Sequence, residues 1–583
     1  MKKVLFILVV VLGLGLACLF VCWALKNYSR YYSGAEETSR ARSINQHIPS
    51  VSIILPHISS AEDQRLTIIK QVAKQGNYKK IILASVNHFN TGSNPIQIYP
   101  KDWSIQSGDL PIDKEIYDNI VSSGMAVPEE GAFLDEHGIK NVLSSLSQSF
   151  PDATYTSLII RDSVAKKSID DLSQQLYKEC ALDCLLVASV DFSHYNPIAL
   201  ANVHDQNSFS ALASFDYDAI WTAETDSPQC LYLATKFAEL NGMNTFELIE
   251  HGNTGDVNNS HDTETTSYAI GIFTNQSKKF TKSATFIIGG DTMLDRDVWH
   301  NYKDEGIEKV FSGLGKRVFW GADLSLINLE GPVSENPIND DWPQRSLIFN
   351  MPPTTITALK FANIDAVSLA NNHTLNAGTN GFAGTQNLLK EAGINYAGRQ
   401  NGFDTSQDVM RIDSGIPLSI FPIDALSNYN QNEFSQAIST EKQAGRFIII
   451  IPHWGTEYSE THNNSQKNLA VEWIEAGADM VVGSHPHVIQ DAEIINGKPV
   501  IYSLGNLVFD QYFSEETQES LIVSGIVTED KITLSILPTI QNKSIPSFAT
   551  GEKKSRIVNK VFDEKLLSNG VKKIGFDTIE IER

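Results

Sequence analysis

Apolar residues along most of the chain fall into short runs that alternate with stretches of helical periodicity. The first run, Val51-Ser-Ile-Ile-Leu-Pro-His57, is strand-like, and a helical pattern over 61–75 follows it. Further strands are predicted at 80–88, 155–160 and 185–190. Strands that alternate with helices predict a mainly parallel, layered sheet. This first α/β unit ends near Phe273.

A second α/β unit opens at Ala284-Thr-Phe-Ile-Ile-Gly-Gly-Asp291, with strands predicted at 324–329, 366–369, 447–451, 480–482 and 500–503. The uninterrupted run Phe447-Ile-Ile-Ile-Ile is typical of a strand buried on both faces. A helical pattern over 466–476 follows, and 520–537 alternates as an antiparallel hairpin does. The predicted fold class is therefore α/β, with two layered α/β domains.

The N-terminus carries an uncharged apolar stretch at 4–25, about 22 residues long, and about 20 are needed to cross a bilayer. Lys2 and Lys3 precede it and favour a cytoplasmic N-terminus. We expect an uncleaved, single-pass anchor at the cell membrane, with both domains extracytoplasmic. A cleaved start, or a lipid-modified one at Cys18, is the alternative. The predicted division is anchor 1–27, linker 28–49, first domain 50–275, linker 276–284 and second domain 285–583.

The net charge argues against one class of partner, and the cysteine content does not determine the cellular compartment. The 583 residues carry a net charge of −23, which argues against nucleic acid as a partner. Among the five cysteines, Cys180 and Cys184 flank a predicted strand start. A disulfide between them and a pair of buried thiols are equally compatible with the sequence.

Five motifs in the second unit place polar side chains at predicted strand ends. They are Gly290-Asp291, Asn328-Leu-Glu330, Asn371-Asn372-His373, His453-Trp-Gly-Thr-Glu457-Tyr458 and Gly483-Ser-His485-Pro-His487. The carboxyl ends of parallel strands meet at one edge of a sheet, so these side chains are expected to converge. Carboxylate, amide and imidazole together favour Mn, Fe or Zn, and two such ions can activate water for hydrolysis. An isolated strand-end Asp or Asn often only caps a helix, so the hypothesis depends on the combination.

These motifs, with Tyr502-Ser-Leu-Gly-Asn-Leu-Val-Phe-Asp510, resemble the CapA family of poly-γ-glutamate capsule synthesis, within the calcineurin-like metallophosphatase superfamily. The resemblance implies an αββα sandwich with two divalent metal ions. It implies that His373 protonates a leaving group and that the metal ligands are Asp291, Glu330, Asn372, His453, His485 and His487. Two positions depart from the wider pattern, since Met293 replaces a ligand histidine and Asn376 replaces an aspartate.

Residues around this set are assigned supporting roles. Trp454, Glu457 and Tyr458 either line the substrate cleft or, for Trp454, pack inside the domain. The segment 502–510 is expected to support the site, with Asn506 orienting a ligand histidine.

The first unit carries histidines near predicted element edges, at His57, His88, His137 and His194. This pattern resembles the Memo-like family, the B component of AmmeMemoRadiSam systems, whose fold is similar to extradiol dioxygenases of the LigB type. The resemblance implies that His57 and His88 bind one iron-type ion. Glu224 is preferred as third ligand, because two histidines and a carboxylate form the non-haem iron triad, and Cys230 is the alternative.

Other polar residues of the first unit receive less specific roles. His194 is expected to be catalytic, and His137 and Asp191 to be cleft or proton-transfer groups, whereas His251, His261 and Asp262 are expected at the surface. A domain that keeps the fold without the metal is the competing interpretation.

The sequence thus predicts a membrane-anchored metal-dependent hydrolase or transferase. Its expected substrate is an anionic cell-surface polymer such as poly-γ-glutamate, or a phosphoester, and other capsule-synthesis components are possible partners. A non-catalytic component for polymer assembly or tethering is one alternative. Redox chemistry at the metal of the first domain is another.

Overall fold

The computed structural model of the protein describes residues 52–106, 108–180, 183–258, 264–276, 280–335, 347–567 and 570–583. The predicted anchor and the linker at 28–49 lie outside the described residues. Within the described ranges, no helix combines the length and the apolar character required to cross a membrane.

The first domain is built on a nine-stranded sheet covered by helices, and its fourth and fifth strands form a separate two-stranded sheet. Its strands are β1 (Ser52–Leu55), β2 (Lys80–Val86), β3 (Ile96–Ile98), β4 (Trp103–Ile105), β5 (Gly108–Leu110), β6 (Val127–Pro128), β7 (Thr154–Ile160), β8 (Cys184–Ser189), β9 (His194–Asn196), β10 (Thr245–Asn253) and β11 (Thr265–Thr274). Its helices are α1 (Glu62–Ala73), α2 (Lys114–Ser122), α3 (His137–Ser147), α4 (Lys166–Glu179), α5 (Ile198–Ser214), α6 (Tyr217–Trp221), α7 (Pro228–Leu240) and α8 (Thr254–Asn258).

The strand order is β10-β11-β1-β8-β2-β7-β3-β6, with β9 beside β11. Strands β1, β8, β2 and β7 are parallel, whereas β11 and β3 join them antiparallel. Successive residues of β1, Ile53 and Ile54, belong to apolar clusters on opposite faces, so the sheet is buried on both sides. His57, His88 and Asp191 follow the parallel strands β1, β2 and β8, which brings them to one edge of the sheet.

The second domain is built on two sheets. Its strands are β12 (Ser283–Thr292), β13 (Leu324–Leu329), β14 (Ala366–Ser368), β15 (Asn395–Ala397), β16 (Met410–Ile412), β17 (Leu418–Asp424), β18 (Phe447–His453), β19 (Met480–Val482), β20 (Ala492–Ile495), β21 (Lys498–Ile501), β22 (Asn506–Val508), β23 (Glu519–Thr528), β24 (Lys531–Asn542), β25 (Ile545–Phe548), β26 (Lys572–Lys573) and β27 (Thr578–Glu582). Its helices are α9 (Arg296–Tyr302), α10 (Thr355–Phe361), α11 (Gly378–Ala392), α12 (Gln431–Gln443), α13 (Asn464–Ala476), α14 (Gly551–Val561) and α15 (Glu564–Leu567).

One sheet has the order β15-β14-β13-β12-β23-β24-β27-β26, with β22 beside β12 and β25 beside β24, and the other is β16-β17-β18-β19-β21-β20. An apolar cluster that includes Phe286 and Ile449 lies between them. Helices cover the outer faces, where Leu389 and Trp473 belong to separate clusters. The result is a four-layered αββα sandwich, and the α/β class predicted from the sequence is confirmed.

The two domains share a contact surface. Ala199, Leu200 and Val203 of α5 belong to the same apolar cluster as residues of the second domain. Polar contacts border it, where Gln206 Nε2 donates to Ser283 Oγ at 2.9 Å. Strand β12 begins at Ser283, inside the segment predicted as the second linker. The link between the domains therefore includes the first residues of that strand.

The cysteines of the first domain form one disulfide and leave one free thiol. Cys180 and Cys184 form a disulfide, with their Cα atoms 5.5 Å apart, which decides between the two alternatives left by the sequence. Cys230 is a free thiol in the apolar interior.

Candidate metal centres

Parallel strand ends from both sheets supply the candidate site of the second domain. Asp291 is at the end of β12, Glu330 follows β13, and Asn372 and His373 follow β14. From the other sheet, His453 ends β18, and His485 and His487 follow β19. The five predicted motifs therefore converge at one edge of the sandwich.

The carboxylates lie with one imidazole in a buried group. Ligand atoms of Asp291, Glu330 and His487 lie within 4.8 Å of one another, and all three side chains are buried. His487 Nδ1 is 3.5 Å from Asp291 Oδ2, and His487 Nε2 is 3.6 Å from Glu330 Oε1. Glu457 forms a second group of this kind with His485 and His487. Such spacing allows one cation to contact several of these atoms.

Hydrogen bonds set which ring nitrogens are free to act as ligands. Asn506 Oδ1 accepts from His487 Nδ1 at 2.9 Å, so His487 Nε2 keeps its lone pair and faces Glu330. His453 Nδ1 is 3.1 Å from Ser484 Oγ, and His453 Nε2 is 2.9 Å from Asn372 Oδ1. His453 Nε2 and Asn372 Oδ1 are close enough for one cation to contact both.

Burial dominates the electrostatics of this cluster. It raises the pKa of Asp291 to about 6. It raises the pKa of Glu330 well above its usual range, and the adjacent Asp291 raises it further. Burial also lowers the pKa of His485 to about 4 and of His487 to about 3. A cation bound among these side chains would stabilise the ionised carboxylates and would bind the neutral imidazoles through their lone pairs.

Two buried atoms support the same conclusion. Among the described residues, Glu330 Oε1 and His485 Nδ1 have no hydrogen-bond partner. Buried polar atoms are nearly always paired, and a bound cation would supply the partner that these two atoms lack. The donor set therefore fits divalent metal ions.

Backbone geometry at the site is unusual. His485 and His487 have φ of 96° and 58°, a region that residues with a Cβ rarely adopt. Strained backbone of this kind concentrates at functional sites, where the surrounding fold maintains it. At the neighbouring strand, a Cβ on Gly290 would lie 2.1 Å from the carbonyl oxygen of Gly505, so only glycine permits this approach.

His373, the predicted acid, lies beside the cluster. Its Nε2 is 3.9 Å from Glu330 Oε1, and its Nδ1 is 3.0 Å from Asn376 Oδ1. Asn376 Oδ1 also accepts from the amide of Phe349, whose ring stacks on His373 at 4.1 Å between centroids. Burial lowers the pKa of His373. Asn376, one of the two departures from the family pattern, thus orients the imidazole with Nε2 facing the carboxylates.

The supporting residues separate into packing and cleft positions. Trp454 is buried against Trp473 and Tyr502 and donates to the carbonyl of Tyr502, so it is a packing residue. Tyr458 is half exposed, and its ring centroid is 6.2 Å from that of His487. Met293 is buried in an apolar cluster.

Asn328 contacts the candidate ligands, and the sequence interpretation named it in a motif but gave it no role. Its Nδ2 donates to Asp291 Oδ1 at 2.7 Å and to Glu330 Oε2 at 3.3 Å, and it lies 3.4 Å from His453 Nδ1. The signal was present, since Asn328 and Glu330 are two residues apart at a strand end and so face the same side.

The first domain gathers a second histidine cluster. Ligand atoms of His57, His88 and His137 lie within 4.8 Å of one another, and so do those of His57, Asp191 and Asp226. His88 Nδ1 is 2.6 Å from Glu136 Oε1, which leaves His88 Nε2 facing Asp226 Oδ2 at 3.8 Å. A carboxylate behind an imidazole is the usual support of a metal ligand.

His57 is oriented in the same way. Ser189 Oγ donates to the carbonyl of Gly138 and therefore accepts from His57 Nδ1 at 3.2 Å. His57 Nε2 then lies 3.1 Å from Asp226 Oδ2 and 3.2 Å from Asp191 Oδ2. Burial disfavours the cation, but these carboxylates outweigh it and raise the pKa of His57 to about 9. A positive charge is thus favoured at this position.

The third-ligand prediction needs correction. Glu224 is fully buried, but its carboxylate contacts Arg317 Nη1 at 2.7 Å and His204 Nδ1 at 3.3 Å, at the contact between domains. The carboxylate beside His57 and His88 is Asp226, two residues further along the loop. Cys230 is not an alternative, because its thiol lies in the apolar cluster and burial raises its pKa to about 12.

The remaining predicted residues lie around a cavity of about 660 Å³ at this cluster. His57, His88, His137, Asp191 and His194 all line it. His251 is instead half-buried and contacts the buried Asp205 at 2.7 Å, so it is not a free surface group. His261 and Asp262 lie outside the described residues.

The fold and the two clusters define a two-domain α/β protein with a candidate metal centre in each domain. Residues 31–272 match the Memo-like protein family, and residues 285–511 match the family described as bacterial capsule synthesis protein PGA_cap. The chain therefore joins a Memo-like half to a CapA-like half, as both resemblances predicted.

Curated relatives match each half. The capsule biosynthesis protein CapA of Bacillus anthracis is 27% identical over 294 residues, which is 47% of this chain and 71% of that protein. The PGA biosynthesis protein CapA of Bacillus subtilis (strain 168) is 27% identical over 258 residues, covering 41% of this chain and 66% of that protein. A MEMO1 family protein of Caldivirga maquilingensis is 21% identical over 247 residues, covering 40% of this chain and 86% of that protein.

Proposed function

We propose that the second domain is a metal-dependent hydrolase or transferase that acts on an anionic cell-surface polymer, with poly-γ-glutamate as the first candidate. The observation that carries the proposal is the buried group of Asp291, Glu330 and His487, whose unpartnered Glu330 Oε1 calls for a cation. Poly-γ-glutamate is chosen as the candidate substrate from the names of the CapA relatives, because the chemistry of such a centre does not by itself determine the substrate.

The residues around the centre have distinct tasks in this proposal. Asp291, Glu330, Asn372, His453, His485 and His487 would hold two divalent ions. Bound there, the ions would supply Lewis-acid activation of water and would stabilise negative charge at the reacting group. Asn328 and Asn506 keep the carboxylates and His487 in position through the hydrogen bonds described above.

His373 would deliver the proton to the leaving group. Its Nδ1 is held by Asn376, so Nε2 is the atom that faces the reaction site. Burial keeps the free imidazole neutral, and an anionic substrate beside Nε2 would favour its protonated form. The imidazole would then act as an acid only when substrate is present, at a pH near neutrality.

A membrane-attached, extracytoplasmic location belongs to this proposal. The apolar segment 4–25 supports it, and the Cys180–Cys184 disulfide is typical of oxidising compartments. Other capsule-synthesis components are the expected partners. The competing candidates are polymer tethering without turnover and redox chemistry at the His57 cluster, which the grouped histidines of the first domain favour.

One experiment separates these candidates. Metal content of the purified protein is measured, followed by turnover of γ-glutamyl and phosphodiester substrates. We expect His373→Asn to lower turnover about 10²-fold to 10⁴-fold while metal content is retained. Metal-loaded protein that turns over neither substrate class would refute hydrolysis and favour tethering. Oxygen uptake that is lost in His57→Ala would favour the redox alternative.

A further inference from the structure

The cavity of the first domain includes one residue of the second. Arg317 lies in the segment before β13, yet it lines the same cavity of about 660 Å³ as His57, His88 and Asp226. Gly321 in the same segment has φ of 77°, and a Cβ there would lie 3.1 Å from the Cβ of Glu224. This segment therefore approaches the first domain closely and presents a cationic side chain to its cavity.

The guanidinium of Arg317 is anchored by Glu224 and lies over the ring of Trp320, 5.8 Å from its centroid. Its Nη1 donates to the fully buried Glu224 at 2.7 Å, while 41% of the Arg317 side chain remains exposed. An arginine has five N–H donors in a rigid planar fork, so one bond to Glu224 leaves others for a ligand. Glu224 thus acts as a positioning residue for Arg317.

A second guanidinium lines the same cavity. Arg161 Nη2 donates to the backbone carbonyls of Asn90 and Gly92, and its buried Nε has no hydrogen-bond partner among the described residues. The lining also contains the carboxylates of Asp162, Asp191 and Asp226, but the last two contact His57. The two arginines are therefore the permanently charged cations of the lining.

We propose that this cavity binds a small molecule carrying a carboxylate or phosphate group, and that Arg317 of the second domain binds that oxyanion. The cavity volume lies within the range of about 300–1,000 Å³ found for small-molecule sites. Arginine forks match carboxylate and phosphate through paired hydrogen bonds. The second domain then completes the site of the first, which goes beyond the hydrolase proposal and does not depend on it.

Calorimetric titration of the full chain tests this with three probes: inorganic phosphate, glutarate and the uncharged glutaramide. We expect phosphate or glutarate to bind, glutaramide not to bind, and Arg317→Ala to weaken oxyanion binding about 10-fold to 100-fold. Whichever oxyanion binds identifies the class of ligand. The matched control is Lys316→Ala, because Lys316 is the adjacent exposed cation and does not line the cavity. The Lys316→Ala variant should bind each probe with the affinity of the unmodified chain.

Glu224→Gln separates ligand binding from a structural role of Arg317. If Arg317 binds the oxyanion, the affinity should stay unchanged or increase, because the amide oxygen of the variant still accepts from Arg317 Nη1 while the competing charge of Glu224 is gone. If the pair only joins the domains, both variants should weaken binding equally, which would overturn the proposal. It would also be overturned by an Arg317→Ala affinity within about twofold of the unmodified chain. His487→Ala should leave Arg317-dependent binding intact, which separates this result from the activity of the second domain.

Discussion

Replacing Asn328 tests whether the two carboxylates of the second domain form a cation site. Its amide donates to Asp291 and Glu330, and these hydrogen bonds are stronger when the carboxylates are ionised. Asn328→Leu removes the donor with little change in volume. Asn371 Nδ2 loses its contact with Asn328 Oδ1 at 3.1 Å but keeps the carbonyl of Leu329 at 2.9 Å. The two carboxylates therefore bear most of the loss, because Asn371 keeps one of its two acceptors.

The expected magnitude follows from the shorter of these bonds. A hydrogen bond to a charged group contributes about 1.5–3 kcal/mol, and the bond from Asn328 to Asp291 is 2.7 Å long. The bond at 3.3 Å to Glu330 adds little. Since about 1.4 kcal/mol is tenfold in affinity, Asn328→Leu should weaken metal binding about 10-fold to 100-fold. Partners that orient metal ligands have effects of the same size.

The assay is a metal titration against a chromophoric chelator near pH 7, with thermal unfolding of the metal-free protein beside it. Thr385→Val is the matched control. Thr385 is a buried residue of the same domain that accepts from the amide of Val333 at 2.8 Å. It should lower stability without changing metal affinity. An Asn328→Leu affinity within about threefold of the unmodified chain would refute the reasoning.

Three further outcomes are expected. Metal binding to the second domain should release protons, and its affinity should rise with pH through about 6 and above. Asp291, with a pKa of about 6, and Glu330, whose pKa is raised well above its usual range, must both ionise, whereas His485 and His487, with pKa values of about 4 and 3, are already neutral. Calorimetry in buffers of different ionisation enthalpy measures the release, and none near pH 6 would contradict this. Asn376→Ala should lower turnover less than His373→Asn does and leave metal content unchanged, because it frees the ring without removing it; equal losses in both variants would count against a positioning role. Replacing Cys180 and Cys184 by serine should lower the free energy of unfolding by about 2 kcal/mol, the value for a short closed loop, and a reductant should then have no further effect on the variant in denaturant titrations.

The strand-end argument predicted that the motifs of the second domain meet at one edge, because it depends only on local pattern. A continuous apolar run such as 447–451 identifies a buried strand, and a parallel arrangement sends its polar end to a shared edge. Which polar residue at that end enters the site is a question of register. Asn328 and Glu330 share a face by the two-residue period of a strand, so both could have been assigned from the sequence.

The carboxylate that lies beside His57 and His88 in the first domain could not be identified in this way. Glu224 and Asp226 lie in the loop between α6 and α7, where no strand or helix period determines which side chain faces His57. Their roles are decided by distant partners. Arg317, 93 positions away, holds Glu224 at the domain contact, and His57 lies beside Asp226. Long-range charge pairing, which no local sequence pattern shows, places Asp226 and not Glu224 beside His57.

The same pairing explains why both domains are needed to describe the site of the first domain. A fully buried carboxylate such as Glu224 is costly without a cation, and its cation, Arg317, belongs to the other domain. Separating the domains would therefore deprive Glu224 of its contact with Arg317 and would remove Arg317 from the cavity that contains His57. A first domain produced alone should lose stability and oxyanion binding together, whereas the second domain keeps all six predicted metal ligands on its own strand ends.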